Sequence, residues 1–154
     1  MRYYLDTEFN GHDGDLLSIG LVSEDLQKHF YGIREYRRIA VHPWVKENVY
    51  PVLKSVPSFV DTAYFADSPS LGKAIAKFLE NDSDPVIITD WPEDIAYFCK
   101  ALITSPGWMV DIRALKFEMY CVNAYPTALA DAVQHNAWWD AMALRHVLYA
   151  VLNT

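Results

Sequence analysis

The 154-residue sequence predicts an α/β domain: a mixed β-sheet, antiparallel over its first three strands and parallel thereafter, flanked by helices. Three observations carry that expectation. Apolar β-forming segments crowd the start of the chain. Beyond them, helical periodicity alternates with short, continuous apolar runs of the kind buried inside a sheet. The composition, 52% hydrophobic and 14% aromatic, supports a substantial core and argues against disorder.

Taken in order, "RYYLDTEF" (2–9) reads as a strand and "DLLSIGLVSED" (15–25) as a second, rich in β-formers around Ile19–Val22. "QKHFYGI" (27–33) alternates polar and apolar residues and pairs with it through a Glu24-Asp25 turn. Residues 34–69 are expected to be mostly irregular, except for a short helix in "HPWVKENVYPVL" that opens at Pro43 and ends before Pro51. "SPSLGKAIAKFLEN" offers a serine cap, then Leu71, Ile75, Phe78 and Leu79 at helical spacing, predicting a helix over about 70–80. "PVIITD" is a short buried strand, and "PEDIAYFCKALIT" a helix with Pro92 in its first turn. "GWMVDI" reads as another short strand and "RALKFEMYC" as helical. The closing helix, "NAWWDAMALRHVLYAVLN", carries a wide apolar stripe through Ala137, Trp138, Ala141, Leu144, Val147, Leu148 and Val151. No repeat, low-complexity tract or linker interrupts this order, so residues 1–154 are expected to form one domain.

The charge is −7, from 20 acidic and 13 basic residues, which argues against tight, non-specific binding of long duplexes. Four acids withdrawn into a metal site would account for more than half of that excess. Arg34, Arg37 and Arg38 cluster in "REYRR", either a solvated loop face or a patch turned to phosphate. Cys99 and Cys121 have no CxxC spacing, no secretory signal precedes them, and no apolar run reaches the roughly 18 residues of a membrane span. A soluble cytoplasmic protein with reduced thiols is the expectation.

The acids of "YYLDTEFNG" raise the functional question. Asp6 and Glu8 stand two apart on a strand and so point the same way. Two carboxylates held side by side repel, and partial burial adds to the cost. A cation would compensate them; the alternative is an exposed strand end with two solvated acids. "HNAWWDA" sets His135 five residues before Asp140, with Asn136 as N-cap. His135 then lies just outside the helix and Asp140 on its second turn. "TDWPEDIAYF" adds Asp90 at a strand end and Asp94 in a helix first turn, where the helix dipole alone would also favour an acid.

These segments together resemble the three motifs of the DEDD superfamily of 3′–5′ exonucleases, in its histidine-containing (DEDDh) branch. "YYLDTEF" is similar to the first motif and "HNAWWDA" to the third. In the middle motif, Asp90 stands where the family usually shows an asparagine, and Glu93 precedes Asp94. The short mycobacterial-type exoribonucleases are the nearest in size and opening. The resemblance implies a ribonuclease H-like fold and two magnesium ions, with manganese able to substitute. It further implies Asp6 bridging both ions, Glu8 and Asp140 completing one site, and Asp94 serving the second, with Asp90 an alternative. His135 would be the general base. Thr7 and Phe9 would contact the terminal nucleotide. Trp91, Trp138 and Trp139 beside the motifs would stack on bases or pack in the core. The implied substrate is single-stranded RNA or short oligoribonucleotides, cut to nucleoside 5′-monophosphates, and the implied assembly a homodimer. A DNA exonuclease with the same site, or an inactive nucleic-acid-binding scaffold, are the alternatives.

Overall fold

The computed structural model describes residues 1–35 and 40–152; Arg37 and Arg38 of "REYRR" lie outside them. Strands β1 (Arg2–Phe9), β2 (Leu16–Ser23) and β3 (His29–Arg34) form the antiparallel start. The β2–β3 turn is closed by Asp25, whose carboxylate accepts from the Ser23 hydroxyl at 2.7 Å and the Gln27 amide at 3.1 Å. Strands β4 (Thr62–Phe65), β5 (Val86–Thr89) and β8 (Lys116–Met119) each join in parallel, giving the order β4-β3-β2-β1-β5-β8. Among the described residues, four α-helices flank the sheet: α1 (Pro43–Asn48), α2 (Ser68–Leu79), α3 (Pro92–Leu102) and α4 (Ala137–Leu152). This is the ribonuclease H-like mixed α/β fold that the sequence predicts.

Alternation along β1 sorts its residues between two layers. Tyr3 and Leu5 pack with Leu71, Ile75, Leu79, Ile87 and Phe98, beneath α2 and α3. Tyr4 packs on the opposite side with Ile88, Leu144 and Leu148, beneath α4. Each fully buried Leu, Ile or Phe contributes about 1.5–3 kcal/mol, more than the spread of intrinsic helix propensities. Burial therefore decides where α2, α3 and α4 lie. Asp6 and Glu8 share the parity of Tyr4, so the sheet sends them to the α4 side.

Four sequence expectations need correction. "RALKFEMYC" contains strand β8, where a helix was expected. Its Leu, Lys, Glu and Met favour helices, but propensity is a weak prior, and the open edge of β5 offers backbone partners from Val86↔Lys116 to Thr89↔Met119. Phe117 then meets Phe98 edge-on at 5.7 Å. The supposedly irregular 34–69 stretch holds strand β4, whose four residues are too few to give a periodic signal. "GWMVDI" supplies only β7 (Trp108–Met109), which pairs with β6 (Ile103–Ser105) in a hairpin outside the main sheet. At α2 the cap is Asp67, whose carboxylate accepts from the Ser70 amide at 2.7 Å, rather than a serine.

Candidate active site

The carboxyl end of β1 is where the acids meet. Oxygens of Asp6, Glu8 and Asp140 all lie within 4.8 Å of one another. Parity on β1 supplies the first two, and α4 brings the third. Gly20, opposite Asp6 on β2, permits that approach: a Cβ at this position would sit 2.3 Å from the Ala137 carbonyl oxygen. The first turn of α4 thus rests directly on the sheet, across from Asp6. Asn136 caps the helix as expected, its Oδ1 accepting from the amides of Trp138 at 3.2 Å and Trp139 at 3.3 Å. Its own amide donates to Asp140 Oδ2 at 3.1 Å, fixing that carboxylate's orientation.

Asp94, in the first turn of α3, is 1% exposed and arrives from the other layer. Thr7 donates to its Oδ1 twice, from the hydroxyl at 2.6 Å and the amide at 3.1 Å. Thr89 donates its hydroxyl to Oδ2 at 2.8 Å. Asp90 is half-buried and lines the outer part of the same cleft.

Burial is the leading cause of every acid's shift here. Asp6 is raised well above the usual carboxylate range by burial, then by Asp94, Asp140 and Glu8. Glu8 is pushed up to about 9 by burial and then by Asp140 and Asp94. Asp140 rises to about 7, burial outweighing the hydrogen bonds it accepts. Asp94 also rises to about 7, although its threonine donors pull it down. Asp90 is raised by burial alone against one opposing backbone bond. His135 is lowered by burial, which keeps its imidazole neutral at pH 7.

Two adjoining cavities open on these acids. One, of about 340 Å³, is lined by Asp6, Thr7, Glu8, Phe9 and Asp94 and roofed by His42 and Trp44 of the α1 region. The other, of about 610 Å³, also touches Asp6, Glu8 and Trp44 and adds Asp90, Tyr125, His135 and Asp140. Phe9 borders both, stacked on Tyr97 at a centroid distance of 4.7 Å. Trp91 borders both as well and is 55% exposed.

Trp139 is not brought to the acids. It packs in the apolar cluster of Tyr31, Val60 and Trp138, and its indole nitrogen donates to the Ser55 carbonyl at 2.8 Å. Trp138 is buried beside it, on the stripe side of α4. Sequence reasoning missed Trp44, Tyr125 and His42. Trp44 meets the His135 ring edge-on at 4.8 Å. Nothing in the residues around Trp44 signals this, because the contact spans 91 positions of chain; the Pro43 helix start was the only local clue.

The acids fit a divalent cation. Asp6 Oδ2 is buried without a hydrogen-bond partner, and among the described residues no Lys or Arg forms an ion pair with Asp6, Glu8, Asp94 or Asp140. Carboxylates crowded this closely without countercharge are stable as anions only around a cation, and an all-oxygen donor set suits a hard one.

No protein-family model matches the chain. A stretch of 55 residues, 34% of the chain, is 40% identical to curated 3′–5′ exoribonucleases from two strains of Mycobacterium tuberculosis. The match spans 33% of the length of each of those relatives. Among the described residues, no helix is long and apolar enough to cross a membrane.

Proposed function

We propose that this chain is a metal-dependent 3′–5′ exoribonuclease of the DEDDh kind, releasing nucleoside 5′-monophosphates from single-stranded RNA or short oligoribonucleotides. The observation that carries the reading is the convergence of Asp6, Glu8 and Asp140, with Asp94 bordering one and His135 the other of the two adjoining cavities that open on them. The partial likeness to proteins named 3′–5′ exoribonuclease supports nuclease activity in general and favours RNA.

Asp6, Glu8 and Asp140 would hold magnesium, or manganese in its place, and Asp94 would serve a second ion. When bound, such a pair neutralises the charge that builds on the attacking and leaving oxygens of an in-line displacement. The remaining work falls to the chain's own groups. His135, neutral at pH 7, takes a proton from the attacking water onto a ring nitrogen. The water oxygen bonds to phosphorus as the P–O3′ bond breaks, and the departing O3′ takes a proton from solvent to leave the shortened strand with a 3′-hydroxyl. Thr7 and Thr89 hold Asp94 still, and the amide of Asn136 holds Asp140.

The cleft suits unpaired bases. Trp44, Trp91 and Tyr125 are 47%, 55% and 61% exposed along it, and each base stacked on such a ring gains about 1–3 kcal/mol. Among the described residues, no Lys or Arg lines either cavity. Phe9 and Thr7 at the inner cavity would meet the terminal nucleotide.

The test is a time course on 5′-labelled single-stranded RNA and DNA of one sequence, with magnesium, manganese or EDTA. The expected result is a ladder shortening from the 3′ end, faster on RNA and absent with EDTA. Internal cuts, or cleavage undiminished by EDTA, would overturn the reading.

A further inference from the structure

Asn136 carries more hydrogen bonds than helix capping requires. Its side chain is fully buried. Oδ1 accepts the two helix amides, while Nδ2 donates to the Val52 carbonyl at 2.9 Å and to the Tyr31 hydroxyl at 3.3 Å. Tyr31 in turn donates to the Leu53 carbonyl at 2.6 Å, and the Trp139 indole to that of Ser55. Three carbonyls of the 52–55 segment are therefore tied to the first turn of α4 and to β3. That segment begins at the last residue of the 3-10 turn Tyr50–Val52, which follows α1.

The connection closes a loop through the candidate site. Asn136 follows His135, and the segment it grips leads back through α1 to Trp44, whose ring meets His135. His135 itself has φ +62°, a left-handed backbone uncommon outside glycine and steadied by what packs around it. Here the surroundings are two: the capped, clamped Asn136 on one side and the Trp44 ring on the other.

We infer that Asn136 is a positioning residue: its Nδ2 clamp joins α1, and with it Trp44, to His135, so that His135 is held at its working place over the acids. The inference rests on the reading of His135 as the general base. The clamp and the cap use opposite ends of one amide, so they can be separated. Asn136→Ser keeps a side-chain oxygen for the cap and removes both Nδ2 donors.

The experiment compares wild type, Asn136→Ser and Tyr31→Phe by kcat, KM and the NMR shifts of the His135 ring protons, assigned with His135→Asn. Wild type should show ring protons displaced by the Trp44 ring current. Asn136→Ser should remain folded, lose that displacement and lose kcat on the order of 10²-fold with little change in KM, as for a misplaced catalytic group. Tyr31→Phe, which deletes one clamp partner and leaves the cap intact, should shift both readouts less, in the same direction; it carries the test if Asn136→Ser does not fold. Unchanged His135 ring shifts in a folded clamp variant would overturn the inference. The ring shifts need no substrate, so they judge the clamp even if wild type proves inactive on RNA, which would count against the exonuclease reading alone.

Discussion

Asp6 and Asp94 approach the same cleft from opposite layers of the molecule and are treated differently. Asp94 is almost fully buried, yet both its oxygens accept hydrogen bonds, three in all, from Thr7 and Thr89. Asp6 has one oxygen shut away from solvent with no donor, and four other acids raise its proton affinity further. The first arrangement is complete as it stands. The second is complete only with a cation or a proton. The fold thus builds one acid as a fixed post and leaves the other, with Glu8 and Asp140, as a receptacle.

The sharpest way to break this comparison is to neutralise the receptacle. Asp6→Asn and Asp140→Asn should each lower turnover on the order of 10³-fold or more, the scale of losing several kcal/mol of charge stabilisation. Both should weaken magnesium binding in calorimetry, and retained turnover would dismiss the metal assignment. His135→Ala should cost about 10²–10⁴ in rate while leaving metal binding unchanged. Because burial lowers the His135 value, wild-type rate should fall only as pH drops below the ordinary histidine range, and the variant should lack that limb.

On the fixed-post side, Asp94→Asn should hurt more than Asp90→Asn, since an amide cannot accept from Thr7 and Thr89 at both oxygens; the reverse order would make Asp90 the working acid. Thr89→Val, nearly isosteric, should destabilise the fold by about 1–3 kcal/mol through one unsatisfied buried oxygen, read as a lower denaturation midpoint. Stability in the absence of cations should also depend on pH. Folded-state values of Glu8, Asp94 and Asp140 lie above those of the unfolded chain, at about 9, 7 and 7. The folded form therefore holds more protons, and stability should fall as pH rises from about 4 to 9. Magnesium should raise the melting temperature most at the top of that window, and Asp6→Asn should flatten the slope.

Much of this was legible in the chain because it depends on local rules. Period two along β1 put Asp6 and Glu8 on one face, and the Asn136 cap set His135 outside α4 with Asp140 one turn in. Other features gave no local signal. β8 is made of helix-forming residues and became a strand only because β5 had an open edge beside it. Trp139 sits next to Asp140 in sequence, but α4's rotation on the sheet turns it into the apolar layer. Trp44 and Tyr125 reach the cleft from segments with no periodic signature, and only the packing of the chain reveals them there.

The sequence by itself determined the antiparallel first three strands, the helix-strand-helix run of α2, β5 and α3, the closing helix, the pairing of the first two acids and the histidine-helix motif, because backbone geometry over a few residues decides each. The tertiary structure decided which acids converge, which of them is already satisfied and what borders the cleft. Those outcomes depend on contacts between residues about a hundred positions apart, such as Gly20 with Ala137 and Thr7 with Asp94. Packing forces close approach there, whatever the local sequence prefers.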